Sequence, residues 1–335
     1  MGKISVSFSD GNSTTWTDTN TRTTTRTESL KLLLSKPRGF CAGVERAIDT
    51  VKRALELWGS PIYVKHEIVH NIHVVDELKK KGAIFIEDLS DVPIGSRVIY
   101  SAHGIPPWVR AEAKARKLIE IDATCGLVTK VHSAAKRFAE KGCHVILIGH
   151  KKHVETIGTA GEAPEATTIV ETIEDVQNLP FGPEHKLAYL TQTTLSLDDV
   201  KDISEALLSR YPQIETIPSS SICYATTNRQ MALREIAKEA DLVLVVGDPR
   251  SSNSNRLREV AEKRGVKAFL INGEGEIRSE WLDGVKTIAM TAGASTPEPV
   301  VQQCIRKLQQ LGVTAIEEIV YKEEDVFFQL PKQVL

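Results

Sequence analysis

Three cysteines, far apart in the chain, each stand just before a helical pattern and each begin the same succession of elements. Cys41 lies in GFCAGV, Cys125 in ATCGLV and Cys223 in ICYATT. From each cysteine the pattern runs helix, strand, polar loop, helix, strand, polar loop. The first polar loops fall at His70, His153 and Ser251, almost equally far along the chain from Cys41, Cys125 and Cys223. The second fall at His103, Thr193 and Ser295, where the spacing from the same cysteines is looser. No residue-level repeat accompanies these spacings, so what recurs is architecture. Short apolar runs alternating with amphipathic helices predict an α/β fold with mainly parallel sheets, whose ligands lie beyond the carboxyl ends of the strands. The simplest arrangement is a pseudo-threefold ring of three similar α/β modules with strand ends facing a common centre.

Strands are expected over 31–35, 61–69, 83–86, 97–101, 119–122, 144–149, 167–170, 186–191, 214–217, 241–246, 267–271 and 286–291. Helices are expected over 43–58, 71–81, 107–117, 126–141, 196–210, 226–239, 253–264 and 297–311. The modules then occupy 43–125, 126–219 and 220–312. Segment 31–42, a strand ending in the first cysteine, packs with the third module, and 313–335 forms a tail. Residues 1–30 are rich in Thr and Ser without apolar periodicity, and read as a disordered extension. A plastid transit role for them is disfavoured by Asp10, Asp18 and Glu28.

A net charge of −2 gives no general attraction to nucleic acid or anionic lipid. No apolar run approaches the ~18–20 residues of a membrane span. Five cysteines without close spacing argue against a disulfide framework and for a reducing, cytoplasmic setting. Cys143 and Cys304, inside apolar segments, read as small buried hydrophobes.

The other three cysteines head helices, where free N–H groups and the helix dipole favour thiolate. Spacing alone leaves an iron–sulfur cluster, zinc and no metal all open. No CxxC pair is present to complete a closed zinc site, and three thiolates on a cubane leave one iron free for substrate. HEIVH at 66–70 matches a zinc-peptidase pattern that works only on a helix. PIYVKHEIV reads as a strand, on which His66 and His70 lie about 13 Å apart, too far for one zinc. The polar loops form an anion site instead. His70, His103, His153, Ser251, Ser252, Asn253 and Ser295 offer hydroxyls, amides, imidazoles and helix N-terminal N–H groups that can cradle phosphate. Glu155, beside His153 and flanked by apolar Val154 and Ile157, reads equally as an enclosed acid able to donate a proton and as a solvated loop carboxylate. Thr193 and Thr194 can position a substrate hydroxyl, though TLS is also an ordinary helix cap.

With PRGFCAGVERAI, HEIVHN, SAHG, DATC-LVTKVH, QTTLS, ICYATTNRQ, SSNSNRL and TAGAS assembled, the chain resembles the 4-hydroxy-3-methylbut-2-enyl diphosphate reductases of the non-mevalonate isoprenoid pathway. The resemblance runs from about residue 31 to the C-terminus. It implies a trefoil of three α/β domains around one [4Fe–4S] cluster per chain, held by Cys41, Cys125 and Cys223. The allylic hydroxyl of the substrate would bind the unique iron. The diphosphate would lie among His70, His103, His153, Ser251, Ser252, Asn253 and Ser295, with Glu155 and Thr193 relaying protons. Electrons would arrive singly from a ferredoxin or flavodoxin, the hydroxyl would leave as water, and isopentenyl or dimethylallyl diphosphate would form. Two positions depart from the family pattern, which usually has proline where this chain has Gly126 and Val154. Proline fixes φ, so reduced preorganisation of the acid's loop is expected here rather than lost function.

The rival reading is a metal-containing diphosphate-binding sensor without turnover, and Glu155→Gln separates the two. A reductase should lose at least about a hundredfold in turnover while ligand binding survives. A sensor, freed of a carboxylate near its anion, should bind as well or better, as a titration with isopentenyl diphosphate would register.

Overall fold

The computed structural model describes residues 30–217 and 221–335. All but Leu30 of the expected N-terminal extension lies outside these residues, as does the expected boundary at 219/220. The chain opens with β1 (Leu30–Lys36), and the first module then runs through α1 (Ala42–Trp58), β2 (Ile62–Lys65), α2 (Ile72–Lys80), β3 (Ala83–Ile86), β4 (Arg97–Tyr100) and α3 (Pro107–Ala115) to β5 (Ile119–Asp122). The second comprises α4 (Gly126–Glu140), β6 (His144–Ile148), α5 (Val154–Ala160), β7 (Thr167–Val170), α6 (Ile173–Gln177), β8 (Leu187–Thr191) and α7 (Leu197–Arg210). The third comprises α8 (Tyr224–Ile236), β9 (Leu242–Val246), α9 (Ser252–Glu262), β10 (Lys267–Ile271), β11 (Thr287–Ala292), α10 (Glu298–Gln310) and β12 (Val313–Val320).

The strands form three sheets, with orders β3-β2-β4-β5, β7-β6-β8 and β10-β9-β11-β1-β12. Every pairing is parallel, so the α/β expectation holds. The sheets share one plan. In each, the strand leading into a cysteine pairs with the strand that ends in the module's second polar loop. β5 beside β4 leads to Cys125, and β1 beside β11 leads to Cys41. In the second sheet that role shrinks to a single parallel bridge, Ala188 to Glu215, ahead of Cys223. The predicted strand at 214–217 is therefore one bridge long.

Sequence explains the burial. LVLVV in β9 is apolar at every position because helices cover both faces of its sheet. The same two-sided packing recurs around β2 and β4 and around β6 and β8. Cys143 and Cys304 are both buried in these cores, as free thiols.

Three local expectations fail for identifiable reasons. β2 stops at Lys65, because His66 adopts φ 63° and turns the chain. Segment 313–320, expected as tail, is a strand on the outer edge of β1. Its VTAIEEIV pattern is mostly exposed, so the apolar signal of a buried strand is missing. The short α5 and α6 were not anticipated, since neither is long enough to show a helical period.

After β12 the chain crosses back toward the cysteine-headed helices. Glu324 pairs with Arg229 of α8, a residue with no exposed surface. The Arg229 guanidinium also donates to the carbonyls of Gly39 and Phe40, at 2.8 and 3.2 Å from Nη2, and to Ala225. One side chain thus joins the loop before Cys41 to the helix after Cys223. Arg229→Met should destabilise the fold by about 3–5 kcal/mol, as loss of one partner of a buried, hydrogen-bonded ion pair does. Glu324→Gln should cost less, because the backbone carbonyls remain. Urea unfolding of the two variants checks this, and equal effects would contradict it.

Candidate functional site

Each cysteine is the N-cap of its helix, and each is pinned by its own backbone. Cys41 N–H donates to Ala294 O at 3.3 Å, Cys125 N–H to Ala102 O at 3.0 Å and Cys223 N–H to Thr193 O at 3.0 Å. The three acceptors lie in the loops after β11, β4 and β8. Equivalent loops of the three sheets therefore carry equivalent cysteines, and all three line one cavity. Gly43 makes the approach possible, since a Cβ there would sit 2.5 Å from Cys125 Sγ.

All thirteen candidates for the metal, anion and proton-relay roles, Thr194 included, line this cavity. Asn71 caps α2 with its side chain and leaves His70 at the rim. His153 caps α5, and its Nδ1 accepts from Glu155 N–H at 3.2 Å. Ser251 caps α9, so the first helical N–H groups rise beside Ser252 and Asn253. Asn253 Oδ1 accepts from Ala294 N–H at 2.9 Å, and Ser295 Oγ donates to His70 O at 3.0 Å. The His70 and His103 rings stack at 4.2 Å, with His153 edge-on to both at 5.7 and 6.1 Å.

His66 and His70 lie much closer together than an extended strand would hold them. The turn at His66 brings their rings to 5.4 Å. The peptidase pattern still does not form, because the segment is no helix and each Nδ1 faces a carboxylate, Glu87 for His66 and Glu67 for His70.

The electrostatics are those of a dry pocket awaiting charge. Burial, then the neighbouring histidines, hold His103 well below the usual imidazole range, and push His153 down to about 3. Both rings are neutral near pH 7. Burial raises Glu155, which is almost fully enclosed, against the pull of Thr193. Thr193 donates its N–H to one Glu155 oxygen at 2.5 Å and its hydroxyl to the other at 3.0 Å. Burial outweighs both donors, so this carboxyl is suited to storing a proton.

At Cys125 and Cys223 the helix N-terminus does not make a free thiolate, contrary to expectation. Burial, reinforced by Cys41, pushes Cys125 up to about 12 and Cys223 up to about 11, outweighing the N–H groups that point at them. Soft sulfurs opening together on one cavity, two of them held as thiols by burial, are a donor set that fits a metal group. Among the described residues no three Cys, His, Asp or Glu side chains converge closely enough for a single ion.

Sequence reading missed several participants. Thr226, one turn into α8, places its hydroxyl 3.1 Å from Cys223 Sγ and 3.5 Å from Asn253 Nδ2. Gln192 bridges Thr156, Thr194 and Ser252. Both stand in the quoted motifs ICYATTNRQ and QTTLS, but only the fold shows what they touch.

Comparison with known proteins bears on the whole described chain. The family described as "LytB protein" matches residues 32–309. A protein of Protochlamydia amoebophila named 4-hydroxy-3-methylbut-2-enyl diphosphate reductase is 70% identical over 306 residues, covering 91% of this chain and 98% of that one. One of Chlamydia pneumoniae with the same name is 66% identical at the same coverage. A solved structure of the E-1-hydroxy-2-methyl-but-2-enyl-4-diphosphate reductase from Plasmodium falciparum superposes with a TM-score of 0.89 at 49% identity, over 91% of this chain and 96% of that one. A second solved reductase gives 0.61 at 30% identity, over 84% and 99%.

The two departures from the proline pattern prove unlike. Val154 is the first residue of α5, a position that accepts proline, so Val154→Pro should stabilise by about 0.5 kcal/mol and raise turnover. Gly126 opens α4 against Phe328, whose ring carbon would lie 3.2 Å from any Cβ. Gly126→Pro should therefore lose stability unless Phe328→Ala accompanies it. Unchanged turnover in Val154→Pro and in the Gly126→Pro, Phe328→Ala double variant would sink the preorganisation idea.

Proposed function

The chain belongs to the LytB protein family, and on that premise we propose that it reductively removes the hydroxyl of (E)-4-hydroxy-3-methylbut-2-enyl diphosphate. Two electrons and two protons enter, the allylic C–O bond breaks, water leaves, and isopentenyl or dimethylallyl diphosphate remains. The observation that carries this reading is one cavity lined by three N-cap cysteines, a phosphate-type wall and a buried acid. This is the last step of the non-mevalonate pathway.

A [4Fe–4S] cluster, one per chain, held by Cys41, Cys125 and Cys223, would supply the electrons and an open iron for the hydroxyl. The chain's own residues do the rest. Ser251, Ser252, Asn253 and Ser295, with the first N–H groups of α9, hold the diphosphate by hydrogen bonds and the helix dipole. His70, His103 and His153 close over it. Thr193 fixes both oxygens of Glu155, which keeps its proton for the departing hydroxyl. Glu155 itself is almost fully buried, which slows exchange of its proton with solvent. Single electrons arrive from a ferredoxin or flavodoxin. The setting is a reducing cytoplasm, in keeping with thiols that are all free. Among the described residues no helix is long and apolar enough to cross a membrane. Glu155 is also what disfavours a pure sensor, since a binding site gains nothing from a carboxylate near a bound polyanion, whereas a reaction that needs a proton does.

Anaerobic purification should give a brown protein with about four irons per chain, and Cys125→Ser should lose iron and turnover together. A colourless, iron-free and fully active preparation would overturn the proposal. Because burial raises Glu155, its acid form persists above the ordinary carboxylate range. The turnover rate should then fall as pH climbs through that raised value, and Glu155→Gln should flatten this limb.

A further inference from the structure

Glu67 stands outside the cavity wall, yet it holds one of the cavity's histidines. Its Oε2 lies 3.1 Å from His70 Nδ1. An ionised carboxylate only accepts, so His70 Nδ1 carries a hydrogen and, in the neutral ring, Nε2 is a bare lone pair. A bare Nε2 repels a phosphate oxygen. To donate a hydrogen bond to it, the ring must take up a proton.

His70 differs in this from the other rings around it. Its neighbours are His66 at 5.4 Å, stacked His103 at 4.2 Å and His153 at 5.7 Å, with Glu155 acting at longer range. His103 has only the Ser101 hydroxyl beside Nδ1, and His153 Nδ1 accepts from the backbone. His66 faces Glu87 but does not line the cavity. Among the histidines of the wall, His70 alone has a carboxylate partner that would stabilise an imidazolium. The described residues of that wall include no lysine or arginine, so an arriving diphosphate meets no standing positive side chain.

Glu67 is itself held from the third module. Its Oε1 pairs with Arg250, whose guanidinium is chelated by buried Asp248 at 2.9 and 2.6 Å. Asp248 also accepts the Ile72 N–H at the head of α2, at 3.0 Å. The loop carrying His70 is thereby clasped to the loop carrying Ser251, Ser252 and Asn253. The hydrogen bond from His70 holds Glu67 below the usual carboxylate range, against burial and with help from Arg250.

Resting on the diphosphate reading of the cavity, we propose that Glu67 is a positioning residue that makes His70 take up a proton when diphosphate binds, turning it into the cavity's cationic anchor. The proton comes from solvent and returns there when the anion leaves. No other bond is made or broken. The clasp keeps Glu67 in place, and the carboxylate stabilises the charge.

The test is calorimetric titration of the anaerobically purified, iron-loaded full chain with inorganic diphosphate, in two buffers of different ionisation enthalpy. The difference between parent and variant removes the ligand's own titration. Glu67→Gln should take up about one proton fewer than the parent on binding. It should also bind about tenfold more weakly near pH ~8, with the gap closing toward pH ~6. Arg250→Gln breaks the clasp but keeps the Glu67–His70 contact, so it should weaken binding with proton uptake unchanged. Equal uptake in Glu67→Gln and the parent would refute the proposal, as would an equal loss of uptake in both variants. If the iron-loaded parent binds no diphosphate, the diphosphate reading fails together with the inference.

Discussion

Three backbone hydrogen bonds organise this molecule: Cys41 to Ala294, Cys125 to Ala102 and Cys223 to Thr193. Each ties the residue that opens a helix to the loop closing the strand beside it. The same bond, repeated in three sheets of the same plan, brings three cysteines remote from one another in sequence to one cavity. Sheet order follows from it. The cysteine-bearing segment must lie next to the strand whose loop it reaches, which puts β5 beside β4 and β1 beside β11. β1 therefore belongs to the last module's sheet although it comes first in the chain. That closes the ring, because the third sheet is incomplete without the N-terminal strand.

What the ring encloses is electrostatically unfinished. Cys125 and Cys223 are pushed toward the thiol form, His103 and His153 toward the neutral ring, and Glu155 toward the acid, all chiefly by burial. A protein interior tolerates such groups uncharged far better than charged. The low dielectric that keeps them neutral also strengthens any charge brought in later. A cationic centre at the sulfurs and an anion at the serine-bearing loop would each restore partners that burial removed. A buried carboxyl keeps its proton until a reaction step takes it.

Much of this was legible before the structure, and the limits follow from what a linear pattern encodes. The spacing of Cys41, Cys125 and Cys223 from their polar loops carries the threefold plan, because helix and strand lengths are nearly conserved from module to module. Loop chemistry carries the cavity wall, since polar residues at strand ends have few structural reasons to cluster. Other features turn on one dihedral or one remote contact. The left-handed turn at His66 folds HEIVH back on itself, which no periodicity announces. Edge strand β12 hides its identity because most of its residues face solvent. Arg250 and Glu67 are distant in sequence, and neither looks unusual until both are seen to meet. At Cys125 and Cys223 the thiolate expectation failed for a quantitative reason: helix N–H groups do act on these sulfurs, but burial outweighs them.

The C-terminal segment shows why a departure from a family pattern need not be a defect. Glu324 binds Arg229 on the helix after Cys223, Phe328 lies against Gly126 at the head of the helix after Cys125, and Gln329 O accepts from Arg46 Nε on the helix after Cys41 at 2.7 Å. Val334 then ends in the core of the first module. One segment thus touches all three cysteine-headed helices in turn. Where it crosses α4, glycine leaves room for the Phe328 ring, and a proline would have to displace it. At this helix start the chain exchanges local rigidity, which proline supplies through φ, for contact with an aromatic ring that seals the same place from outside. Val154 has no such neighbour pressing on it in the contacts described, so the two substitutions, alike as sequence, differ in cause.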